Sequence, residues 1–444
     1  MRKRDVILCA LLIASSGQRA AGSEPGDGGQ QQAGGRAFDV SSLQQAAIDA
    51  DPRARQQQLL MMQSALRQRN ISAQRLPTLT VDGQAQVQSD VPHLTLALPG
   101  FSSPFAPPKD TYDSGVRVDE RLVDKSIGAQ TSLEAAQLAE NEARVETTLF
   151  ALRQQVNDAF FIAAAIEARI GALDATIDDL NARLRETNAR VQQGTALPAD
   201  AAAIEATLLQ RQQDRDELAA NRRAALDRLA TLTGQAVGDN DRLTLPDVGD
   251  TVMRARAMAA QLRERPEYEQ FTRTRTRIEK QQDLAIAQER PRLSTFGRVG
   301  YGRPGLNFIG HTWETYGLAG IRVQWNAWTW GTAGREREAL AIQQQVVAAD
   351  EAAFAKGLDV SIVGDETNID RLQTALATDE RIVTLREQVA NSTQVRLNEG
   401  VVTASEYLDR SAELLQARFA RVGHQVELAQ DSARLLTTLG LEVK

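Results

Sequence analysis

Few residues in this chain of 444 have the types and spacing that bond-making chemistry needs. The histidines, His93, His311 and His424, lie far apart in sequence, and Cys9 is the only cysteine. A Cys/His metal site or a cysteine nucleophile has almost nothing to be built from. No paired His/acid constellation and no nucleophile motif occurs. One glycine cluster, Gly297, Gly300 and Gly302, falls in a predicted strand and opens no helix, so it is not a phosphate loop. What recurs is an acid placed behind a glycine turn. Arg190-Val-Gln-Gln-Gly194 is followed by Asp200, and Arg396-Leu-Asn-Glu-Gly400 by Glu406 and Asp409. Arginine, glycine and first acid repeat at one offset of 206 residues, Gly194 to Gly400. The chemistry open to such carboxylates is electrostatic; at the start of a helix the dipole favours them.

The elements that carry these turns are long. Composition is 42% hydrophobic but only 5% aromatic, the bias of extended helices and coiled coils. From Ser126 to about Gln192 apolar residues recur at steps of three and four (Leu149, Leu152, Val156, Phe160, Ala163), a coiled-coil seam. Gly194 breaks it, Leu197-Pro198 opens the next helix, and Gly234 ends that one. Upstream, a helical pattern over 40–72 is interrupted at Asp51-Pro52, with the main helix expected to start there. Residues 78–88 and 112–122 alternate apolar with polar, the period of strands with one apolar face. The same order returns after a linker at 237–250: a helix at about 252–288, strands at about 293–302 and 313–325, a long helix at about 332–398, and a last helix over 403–439. Pro52, Pro77 and Gly83 match Pro266, Pro291 and Gly297 at a shared spacing of 214, and Gly115 and Val118 match Gly320 and Val323 at 205. The difference falls in the inter-strand loops, where length change is cheapest. The repeats are therefore 39–236, with its tip near 194, and 251–441, with its tip near 400. Gly357 and Gly364 sit inside the second long helix, where each costs about 1 kcal/mol against alanine; a kink or a packing site would explain them.

Residues 1–22 read as a signal peptide: Met1-Arg-Lys-Arg4, an apolar stretch from Val6 to Ala14, and small residues Ala20-Ala21-Gly22. Residues 23–38 read as a flexible leader. Removing 1–22, with four basic side chains and one acid, takes the net charge from −7 to −10, which argues against a nucleic-acid surface. The mature chain would hold no cysteine, so no disulfide.

Helix length sets the geometry. Each long helix would extend roughly 100 Å, and the two shorter helices of its repeat, end to end, match it. Each repeat is thus a two-stranded rod with its strands at one end and its glycine turn at the other. Strands of about ten residues with one apolar face have the length of tilted transmembrane strands. In a bilayer their edges are forbidden, so they must belong to a closed barrel. Four strands are too few, since the smallest barrels have about eight, so the barrel must be shared between subunits. Tyr301, Phe308, Trp313, Tyr316, Trp325, Trp328 and Trp330 cluster at the second strand pair; they could be the buried aromatics of a soluble sheet, but beside amphipathic strands and a signal peptide they read as an interfacial aromatic belt in contact with lipid.

These features together resemble the outer membrane efflux protein family, the TolC-like channels of tripartite export systems. The resemblance covers about residues 39–441. It rests on the duplicated helix-strand-strand-helix-helix order, on Leu76-Pro77 and Arg290-Pro291 entering strands, on Trp325-Asn-Ala-Trp-Thr-Trp-Gly331 leaving the last strand, and on the two tip motifs. It implies a mainly α chain with a transmembrane β-barrel: a homotrimer whose twelve strands close an outer-membrane barrel and whose helices close a long periplasmic α-helical barrel. It implies a passive exit duct for efflux or secretion, located in the outer membrane and reaching through the periplasm, with no cofactor. The energy would come from an inner-membrane pump joined through a periplasmic adaptor. Arg190, Gly194, Thr195, Arg396, Gly400 and Val401 would be the adaptor-docking tips. Glu406, Asp409 and Asp200 would line the periplasmic aperture, where a ring of carboxylates favours cations. The family's ninth-position acid is Ala203 in the first tip. The Tyr and Arg that tie some members closed are Leu397 and Val402 here, so any closing network must differ. A soluble periplasmic coiled-coil scaffold would explain the heptads but not the four alternating strands.

Overall fold

The computed structural model describes residues 35–92, 106–258, 264–307 and 310–443. The expected signal peptide with Cys9, the leader as far as residue 34, His93 and Phe308 lie outside the described residues. The chain runs β1 (Ala37–Phe38), α1 (Val40–Ala50), α2 (Ala54–Ala73), β2 (Thr78–Val87), β3 (Asp110–Val123), α3 (Lys125–Gln192) and α4 (Pro198–Thr233). It continues with β4 (Arg242–Leu243), α5 (Gly249–Met258), α6 (Pro266–Gln288), β5 (Arg292–Arg303), β6 (Glu314–Gln324), α7 (Thr332–Asn398) and α8 (Ala404–Leu439). The duplication is plain in this order: a helix pair, two strands, a long helix and its return.

Each long helix starts and stops for local reasons. The Asp124 carboxylate accepts from the Ser126 amide at 2.9 Å and caps α3. Pro198 occupies the first turn of α4, where its missing N–H is no loss, and left-handed Gly234 closes that helix. α3, with 68 residues, is about 100 Å long. α2 packs along the part of α3 near the sheet and α4 along the part near the tip; α6 and α8 continue the pattern between α3 and α7.

β2, β3, β5 and β6 form one antiparallel sheet in that order, with β3 pairing β5 to join the two repeats. The register puts Leu79, Val118, Gly297 and Ala319 in one row, and Val81, Val116, Val299 and Gly317 in another, all on one face. On the other face lie Asp82, Asp113, Arg117, Arg298 and Arg322. The alternation expected from sequence is thus present, and the apolar face is bare: Val81, Val299 and Ile321 are 75%, 64% and 70% exposed.

The main core sits at mid-rod. It joins Phe160 and Phe161 of α3, Leu43 of α1, Leu226 and Leu229 of α4, and Leu435, Leu436 and Leu439 of α8. Inside it a polar chain is fully satisfied: Gln44 donates to Asn157 at 2.5 Å, and Asn157 to Thr437 at 3.1 Å.

Four expectations change. Residues 237–250 do more than link: β4 pairs in parallel with β1, and Val237 and Val248 are buried in the core. Arg222 fastens this segment by donating to the carbonyls of Asp239 at 2.9 Å and Asp241 at 2.6 Å. By the same pairing the leader ends before residue 38, because Phe38 is buried. The helix expected over 252–288 is two helices. Arg265, preceding Pro266, is extended (φ −70°, ψ 132°), since the proline ring excludes the helical region for the residue before it. In the first repeat, Asp51 ends α1 and its carboxylate holds the Arg53 amide and guanidinium, so α2 begins only at Ala54. α7 runs unbroken through Gly357 and Gly364, and nothing lies within 4 Å of a Cβ placed on either, so packing within the chain does not require them.

Candidate functional site

The two tips are built alike. At the first, the Thr195 amide donates to the Arg190 carbonyl at 2.8 Å and the Gly194 amide to Val191 at 3.0 Å. At the second, Val401 donates to Arg396 at 2.9 Å and Gly400 to Leu397 at 3.1 Å. These are paired Schellman bonds, which need a left-handed residue at the glycine; φ is +69° at Gly194 and +72° at Gly400. The arginine, glycine and following residue of each sequence motif are the atoms of this turn. All the tip glycines and their neighbours Thr195, Arg396 and Val401 are exposed.

The tips lie side by side. The Arg190 guanidinium donates to the Leu397 carbonyl at 3.3 Å. Below them a small apolar cluster of Leu180, Ile204, Leu208 and Ala404 joins the hairpins. The three acids separate here. Asp200 is engaged across the hairpins: its carboxylate accepts from the Ala404 amide at 3.3 Å, at the start of α8. Thr403 caps the same helix from within, accepting from the Glu406 amide at 3.4 Å. Glu406 is half-buried and Asp409 exposed; neither forms an ion pair within 4 Å among the described residues, because neighbouring Arg410 pairs with Glu413 at 2.8 Å.

One contact near the tips had no sequence signal. Tyr407, 2% exposed, donates its hydroxyl to Asp179 on α3, which also faces Arg183 at 3.6 Å. Burial, then the bond to Asp179, pushes the phenol above its usual range. The partners are 228 residues apart in sequence, so no local pattern could pair them.

At the other end, aromatic residues gather at both ends of the apolar face. Tyr301 and Trp313 stack at 5.2 Å, and Trp313 stacks on Tyr112 at 5.7 Å, beside the β5–β6 connection. Trp325, Trp328 and Trp330 lie where β6 passes into α7, 59%, 75% and 79% exposed. The Trp325 indole donates to the Glu289 carbonyl at 3.1 Å, and Trp328 meets Trp330 edge-on. Tyr316, grouped with them from sequence, is on the opposite, polar face: it pairs with Gly300 across the strands and donates to Asp113 at 2.6 Å. Strand parity explains the difference, since 316 is one residue out of phase with Tyr301's row.

The polar face is held by charge. Arg298 donates to both Asp82 and Asp113 at 2.6 Å, tying three strands. Among the described residues no helix is long and apolar enough to cross a membrane, which says nothing about this sheet.

The sequence matches no protein-family model and no curated protein. Solved structures do share its architecture. The outer-membrane channel OprN matches with a TM-score of 0.64 and 18% identity, over 90% of this chain and 89% of that one. The outer membrane protein VceC of Vibrio cholerae matches with 0.64 and 16%, over 91% and 97%. The MtrE outer membrane channel of Neisseria gonorrhoeae, solved in its open state, matches with 0.61 and 17%, over 91% and 89%. With nearly the full length of each chain covered, this protein has the fold of the TolC-like outer-membrane channels.

Proposed function

We propose that the protein is an outer-membrane efflux channel subunit, which assembles as a homotrimer and acts as a passive exit duct. One observation carries this reading: a four-stranded sheet with a bare apolar face and two unpaired edges, β2 and β6, sits at one end of a rod about 100 Å long. In lipid the apolar face is in its proper solvent and the open edges are not tolerated. Pairing β6 of one copy with β2 of the next removes both edges, and three copies give twelve strands. β6, with 11 residues, is about 36 Å long, or between about 25 and 30 Å high at the 35–45° tilt of such barrels. That is the height of the hydrocarbon band. The aromatic clusters of Tyr112, Tyr301 and Trp313 at one end and Trp325, Trp328 and Trp330 at the other then form its two girdles.

The helical seam favours the same assembly. α3 is flanked by α2, α4, α6 and α8, whereas α7 packs against α6 and α8. The repeat makes α2 and α4 of another copy the natural occupants of the open side of α7, where Ile342, Val346, Val360 and Val389 are exposed.

At the far end the exposed turns around Gly194 and Gly400 are the docking points for a periplasmic adaptor, through which an inner-membrane pump supplies the energy. Glu406 and Asp409 are the aperture acids; Asp200 acts by fixing the first turn of α8 against the first hairpin. In a trimer six carboxylates surround the mouth and favour cations.

Cell fractionation tests the reading. The protein should be in the outer-membrane fraction, need detergent for extraction, and have three times the chain mass in detergent. Recovery in the aqueous fraction would leave a soluble coiled-coil scaffold instead.

A further inference from the structure

The polar face of the sheet, which the channel reading turns toward the bore, pairs most of its arginines with acids. Arg298 holds Asp82 and Asp113, Arg117 holds Asp119 at 2.7 Å, and Arg121 and Arg292 face Asp124 at 3.4 and 3.8 Å. Arg322 is different. It is exposed, and among the described residues no carboxylate lies within ion-pair distance. Its guanidinium rests instead on the Phe296 ring, 4.9 Å from the centroid, and Arg117 approaches the same ring at 5.6 Å. The seat is shaped for this: Phe296 lies across Gly320, its pairing partner on β6, where a Cβ would come within 2.9 Å of the ring. Only a residue without a side chain lets the ring lie flat and reach Arg322. The charge is also placed along the bore. At the end near the helices Arg117, Arg121 and Arg292 share two acids, Asp119 and Asp124, and Arg322 adds an unpaired charge, while Arg298 meets two acids farther out.

We propose that Arg322, seated on Phe296 over Gly320, is a specificity-determining site for anionic solutes, selecting carboxylates, sulfonates and phosphates in the barrel. The site rests on the channel reading and has the opposite sign to the acids at the tips. A guanidinium backed by an aromatic ring keeps its outer N–H donors free for an oxyanion, and a low-dielectric wall lengthens the reach of its charge. Three copies would stand at one level of the trimer.

The test uses the full-length trimer in planar bilayers under a potassium chloride gradient, in an E406Q/D409N background so that the tip acids do not mask the effect. Arg322→Gln should lower the anion-to-cation permeability ratio about two- to threefold, and Arg322→Lys should keep most of it. Naphthalenesulfonate should reduce the current through the parent pore and lose that effect in Arg322→Gln. Gly320→Ala, which keeps every charge but pushes the ring aside, should give a smaller fall in the ratio, and serves if Arg322→Gln does not assemble. A conducting pore whose ratio and sulfonate response ignore these changes overturns this site and leaves the channel reading standing. Absence of any pore overturns both.

Discussion

The two long helices are the same element twice, and their surroundings differ. α3 and α7 have 68 and 67 residues, yet 20 residues of α3 are buried against 9 of α7. Leu173 of α3 is 1% exposed and Val360 of α7 is 67% exposed. α3 lies inside the subunit with neighbours on both sides; α7 lies at its margin. A seam that is apolar but bare in one copy, and filled in the other, is the surface that the proposed trimer would cover.

That comparison can be broken most directly by truncating the two seams. Leu173→Ala should destabilise the chain itself by about 2–5 kcal/mol, as buried leucines do, read as a fall in thermal midpoint. Val360→Glu with Val389→Glu should leave helix content intact by circular dichroism and abolish the trimer in detergent, measured by light scattering. A trimer that survives the two glutamates would mean that α7 is not a subunit boundary.

The tips sharpen it at a smaller scale, because there the hairpins of one subunit meet. Tyr407→Phe removes the hydroxyl bond to Asp179 and should loosen the hairpins by about 1–2 kcal/mol, visible as faster hydrogen exchange around Asp179 of α3 and in the first turn of α8. Asp200→Ala should cost about 1 kcal/mol through lost capping, confined to the first turn of α8, whereas Asp409→Ala, exposed and beyond that turn, should leave that exchange unchanged.

The smallest effect concerns α7 and its own return helix. Asp365 and Asp431 are buried beside Arg434, and burial holds both carboxyls above their usual range despite that partner. A raised folded pKa means the folded state binds protons more readily. Their contribution is therefore complete below the ordinary value of about 3.8 and is lost as pH rises through the raised one. Thermal stability measured from pH 7 downward should gain this increment, and Asp365→Asn with Asp431→Asn should remove it.

Much of this was legible in the sequence. Local rules gave both tips: the Schellman turn needs glycine at one position, and the motif's spacing is that turn's own hydrogen-bond ladder. The strands showed through period two, the helices through steps of three and four. Other features had no local signal. The β1–β4 pair involves two residues on each side, too short for any periodicity to register. The break before Pro266 had its proline in view, but the surrounding helical pattern outweighed it. Nearness along the chain groups Tyr316 with the other aromatics, but strand parity puts it on the polar face against Asp113.

The sequence by itself determined the repeat, the rods, the turns and the amphipathic strands, since each depends on side chains within a few residues. Only the tertiary structure decided that β3 pairs with β5, that Asp200 serves a helix of the other hairpin, that Tyr407 finds Asp179, and that α3 is filled where α7 is bare. These contacts join residues about 170 or more apart or oppose similar patterns in unequal surroundings. Periodicity states that a face is apolar; which partner covers it depends on how the whole chain closes.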